Sequence, residues 1–117
     1  MAVTANRSVT VTFTGDVDYN QTFSAIESAD SPGQIDIVTL ASGANTITPP
    51  TGGTTPVAVT IIPPAGNTQT ITLKGITGDT GIALSKTDPT TIGLGSSTAT
   101  FVLTAGASID GVRLIWT

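Results

Sequence analysis

From Ser8 to Thr14 the chain reads SVTVTFT, with Val9, Val11 and Phe13 at alternate positions and Thr10, Thr12 and Thr14 between them. Successive side chains of a strand point to opposite faces. This period of two therefore predicts a strand with one buried and one hydrated face. Tyr19 to Ile26 repeats the pattern more weakly. Its Ala25-Ile26-Glu27-Ser28 piece would also suit a helical turn, which Pro32 and Gly33 would stop. In Gln34 to Leu40, Ile35 and Ile37 share one face and Val38 and Leu40 the other, with Asp36 as an outward charge, so that strand is expected to be covered in part on both sides.

Further strands are predicted at residues 46–48, 57–62, 68–74, 82–85, 91–94, 98–104 and 112–117. In the last of these Val112, Leu114 and Trp116 share a face, opposite Arg113 and Ile115. Between the strands stand Ser42-Gly43-Ala44-Asn45, Ala65-Gly66-Asn67 and the glycine-rich stretch from Gly75 to Gly81, all turn chemistry. Proline cannot donate to a ladder, so Pro49-Pro50 and Pro63-Pro64 end the strands before them. TITPP at Thr46 and TIIPP at Thr60 echo each other without a sustained period, so a solenoid is not indicated.

No segment demands a helix. The chain reads as all-β, an antiparallel β-sandwich or jelly roll of about 8–10 short strands, with a β-prism or a barrel as the fold alternative. Residues 1–7 read as a flexible N-terminal arm and residues 8–117 as a single β-sandwich domain, since 117 residues fit one domain.

Composition sharpens this. There are 24 threonines, and 38% of residues are hydrophobic but only 4% aromatic. The core is expected to be aliphatic, with Phe13, Phe23, Phe101, Tyr19 and Trp116 as its few large fillers. Charged residues make up 10% of the chain, against about 25% in an ordinary soluble domain. A surface so poor in charge is weakly protected from association, which points to neighbouring subunits. Arg7, Lys74, Lys86 and Arg113 are scattered in a chain of net charge −4, so no basic cluster exists to hold nucleic acid or an anionic membrane. The start, Met-Ala-Val-Thr-Ala-Asn-Arg, shows no apolar leader region, and no apolar run reaches the length of a membrane span. Synthesis in a cytoplasm is the expectation.

The chain contains no His and no Cys, the residue types on which most acid–base, nucleophilic and thiolate-metal chemistry depends. Asp79-Thr80-Gly81 is the aspartic-protease tripeptide, but Thr77 and Gly78 precede it where an apolar strand is needed, so it reads as a turn. Asp16, Asp18 and Asn20 place oxygens at positions 1, 3 and 5 of a calcium loop and Glu27 at position 12. Gln21 stands where that loop needs glycine, so the competing reading is a solvated acidic hairpin loop. Calcium is the only cofactor with any candidate ligands; otherwise none is expected, and no catalytic residue is assigned. Asn6 and Asn20 begin glycosylation sequons, read here as chance. For a sugar, Tyr19 and Trp116 are the available stacking rings.

The stretch VTIIPPAGNTQTITLKGITGDTGIALSKTDPTTIGL, followed by TFVLTAG and GVRLIWT, resembles small β-rich structural proteins of tailed bacteriophages over roughly residues 57–117. The shared features are Thr/Gly-rich strands, an LKG-x-x-GDTG turn and a closing apolar strand. The resemblance implies a non-enzymatic virion structural protein, made in the bacterial host cytoplasm. Its implied role is a multicopy capsid decoration (cement) subunit that stabilises a phage head through subunit–subunit contacts. The implied partners are further copies of itself, as a homo-oligomer with a trimer among the orders, and a phage capsid or tail protein. The alternative is a tail, baseplate or fibre-associated carbohydrate-binding β-sandwich used in host attachment.

Overall fold

The alternating sequence gives an all-β chain. A computed structural model describes residues 3–16, 19–51, 54–95 and 99–117, with the side chains of residues 24–30 outside that description. Its strands are β1 (Val3–Phe13), β2 (Tyr19–Ser31), β3 (Gln34–Leu40), β4 (Gly43–Ile47), β5 (Ala58–Ile62), β6 (Ile71–Lys74), β7 (Ile82–Ala83), β8 (Thr90–Gly93), β9 (Phe101–Ala105) and β10 (Ile109–Trp116). Every predicted segment contributes a strand, and all named strand pairs are antiparallel.

The strands form three sheets: β3-β10-β5-β8, β4-β9-β6-β7, and a separate two-stranded sheet of β1 and β2. From β3 onward the pairings are nested. β3 pairs with β10, β4 with β9, β5 with β8 and β6 with β7, so the second half of the body runs back along the first. Two further pairings, β10 with β5 and β9 with β6, close each four-stranded sheet.

One hydrophobic cluster joins the two larger sheets: Leu40, Ile47, Val59, Ile61, Ile71, Leu103, Ala105, Ile109, Val112, Leu114 and Trp116. It is aliphatic except for Trp116, as the composition requires. Trp116 is fully buried and meets Phe101 of the opposite sheet with ring centroids 6.3 Å apart. A buried indole needs an acceptor for its N–H. Asp36 provides it, accepting from Trp116 Nε1 at 3.0 Å and from Gln34 Nε2 at 3.0 Å. Asp36 is therefore not an outward charge. It lies opposite Leu114 on the strand face that carries Val38 and Leu40.

Corners where the chain changes sheet are pinned by asparagines. Asn45 accepts from Ala41 N at 2.8 Å and donates to Leu103 O at 3.1 Å, fixing the passage from β3 to β4. Asn67 donates to Lys86 O at 2.8 Å and so ties the β5–β6 loop to the β7–β8 loop.

Four further expectations change in the structure. Residues 3–7, expected in a flexible arm, lie in β1, so the boundary drawn between Arg7 and Ser8 falls inside a strand. The Ala25–Ser28 piece is strand, not a helical turn. Gly43 to Asn45, read as turn, opens β4. The Ile35 and Ile37 face of β3 is not covered: these side chains are 62% and 72% exposed.

Candidate assembly surface

The β1–β2 hairpin stands apart from the common core. Residues paired across it share a face: Val9 with Phe23, Val11 with Gln21 and Phe13 with Tyr19 on one side, Thr10 with Thr22 and Thr12 with Asn20 on the other. The second face is polar and internally bonded, with Thr10 and Thr22 hydroxyls 3.1 Å apart and Thr12 Oγ1 donating to Asn20 Oδ1 at 3.4 Å. The first face is apolar apart from Gln21. At its tip Phe13 and Tyr19 meet with ring centroids 5.7 Å apart, tilted by 43°.

The apolar face is open. Val9, Val11, Phe13, Tyr19 and Phe23 are 39% to 54% exposed. The period of two in Ser8–Thr14 was expected to mark a core-facing strand, and Phe13, Phe23 and Tyr19 were expected as core fillers. The amphipathic pattern is real, but nothing within the described residues covers its apolar side. Of the five rings, Trp116 and Phe101 serve the core.

β2 has 13 residues against the 11 of β1, and the excess is taken up by register shifts between Val3 and Ala5 and between Arg7 and Val9. Such bulges increase the local twist and bend a ribbon. A two-stranded ribbon with no third strand or packed face is marginal in water. This arm is long, ordered as a ladder, and apolar on one side.

The other candidates fall as follows. Asp16 is exposed at the hairpin tip and Asn20 is the second residue of β2; Asp18 and the side chain of Glu27 lie outside the description. The backbone of β2 is extended from Asn20, which pairs with Thr12, to Glu27, which pairs with Asn6. At about 3.3 Å per residue this separates them by about 23 Å, too far for both to hold one ion within one chain. Among the described residues no three acidic groups gather. Asp79 accepts from Gly75 N at 3.1 Å and Ile76 N at 3.0 Å, closing the Gly75–Gly81 turn with its carboxylate. Of the two expected stacking rings, Trp116 is buried and Tyr19 is at the arm tip, 46% exposed.

No family model, no curated protein and no solved structure matches this chain.

Proposed function

We propose that this chain is a non-enzymatic structural subunit that works in many copies, each joined to a neighbour through the β1–β2 arm. The observation that carries the reading is the arm itself, a long ladder whose apolar face has no cover among the described residues. Such a face lowers its free energy only by leaving water, and low surface charge leaves little to oppose association.

The body is read as a β-sandwich of jelly-roll type. Its support is the nested pairing of β3 to β10 divided between two four-stranded sheets over one core. Jelly rolls are a recurrent architecture of viral capsid and lectin domains. Fold alone does not assign function. The resemblance read from the sequence of residues 57–117 points to the capsid side of that pair, as a decoration (cement) subunit on a phage head. The absence of His and Cys, and the use of the Asp79 carboxylate as a turn cap, support a mechanical over a catalytic role.

Quantitative mass spectrometry of purified particles from the source culture tests this. A copy number near that of the major capsid protein is the expected result. A few to a few dozen copies would move the protein to a tail, baseplate or fibre. Tyr19, exposed beside Asp16 at the arm tip, would then justify a glycan array with and without calcium. Absence from particles would end the virion reading.

A further inference from the structure

The arm has an apolar tip, and the body has an apolar hollow. Between the sheets lies a cleft of about 200 Å³ lined by Leu73, Lys74, Gly75, Ile92, Leu94 and Phe101. Its walls are aliphatic and aromatic, and Lys74 brings the one charge among them. For scale, an engineered apolar cavity of about 150 Å³ takes up benzene. A single phenyl or phenol ring is therefore the size of group this cleft admits.

We propose that one ring of the arm tip, Phe13, seats in this cleft of a second copy. The inference rests on the reading above that copies are joined through the arm, and it names the surface that receives it. Two observations favour a second copy as the occupant.

The first is chemical match. Donor face and cleft are both apolar, and the charges beside them are opposite: Asp16, exposed at the tip, and Lys74 in the cleft lining. The second is placement. The arm enters the body at β3, one edge of its sheet, whereas Ile92 brings the cleft to β8, the other edge. Donor and acceptor at opposite edges give each copy one arm to offer and one cleft to fill, an arrangement that forms a ring or reciprocal pair where the rotation between copies closes and a filament where it does not.

The native sequence has no cysteine, which permits a clean test. Phe13→Cys and Leu94→Cys are made in separate chains, mixed and oxidised. A covalent dimer between the two kinds of chain, absent when either is oxidised alone with wild type, is the expected result. Replacing Leu94→Cys by Ile35→Cys probes the uncovered outer face of β3 instead. Cross-linking there and not at position 94 would overturn the cleft as acceptor while leaving arm-mediated assembly standing. Cross-linking at neither site, with the wild-type chain monomeric at micromolar concentration, would remove both. Charge reversal gives an independent readout: Asp16→Lys alone should weaken association by up to about fivefold, the upper end for an exposed ion pair, and adding Lys74→Asp should restore it. Weakening without restoration would contradict the pairing of tip and cleft.

Discussion

At the residue scale, the side chain on which most depends is Trp116. It fills the junction of the sheets against Phe101 and hands its N–H to Asp36. Trp116→Ala should cost about 3–5 kcal/mol, measured by denaturant unfolding. Asp36→Leu strands the indole N–H and should cost about 1–3 kcal/mol, but almost nothing in a Trp116→Phe background, where no N–H remains to satisfy. Equal costs in the two backgrounds would show that Asp36 acts some other way. Gly81 supplies a second test. Its φ is +79°, and an added Cβ would lie 2.6 Å from the Leu73 carbonyl oxygen. Gly66 has a similar φ of +73° with open space around it. Gly66→Ala should lose only the left-handed backbone cost, about 1–2 kcal/mol, and Gly81→Ala distinctly more, because the β6–β7 ladder must shift as well.

At the scale of elements, the alternation of threonine with aliphatic residues makes every strand legible, because a period of two has no other common structural source. It also sorts faces correctly where a partner is near: Val112, Leu114 and Trp116 are buried, and Arg113 is exposed. The same rule misplaces Val9, Val11 and Phe13. Periodicity states which residues share a face, but what lies against that face is decided by topology and by other molecules. Asp36 escapes for a related reason: its acceptor role depends on Trp116, a partner far along the chain and brought near only by the pairing of β3 with β10. The calcium spacing belongs to a loop that curls back on itself, whereas Asn20 and Glu27 both lie in strand β2; Asp18 and the Glu27 side chain lie outside the described residues. Because the arm lies outside the core, Phe13→Ser and Phe23→Ser should leave the unfolding free energy of the body within about 0.5 kcal/mol of wild type. A larger loss would mean that the arm supports the fold rather than the assembly.

At the scale of the whole molecule, the chain divides its hydrophobic residues between two tasks. The aliphatic residues and Trp116 build one core between two sheets, and the rings of β1 and β2 are set on an arm outside it. The resulting extents of 44 × 40 × 26 Å are broad for 117 residues, as a projecting ribbon requires. On the proposed reading, a chain with few charges, an apolar arm and an apolar cleft meets its own copies, and the measurement that decides this is its mass in solution. Sedimentation velocity of the purified chain over a range of micromolar concentrations should give assemblies at whole-number multiples of 11.7 kDa, and the Phe13→Ser, Phe23→Ser chain should sediment as a folded monomer. A wild-type chain that remains at 11.7 kDa throughout, or an assembly unchanged by the two substitutions, would contradict the account.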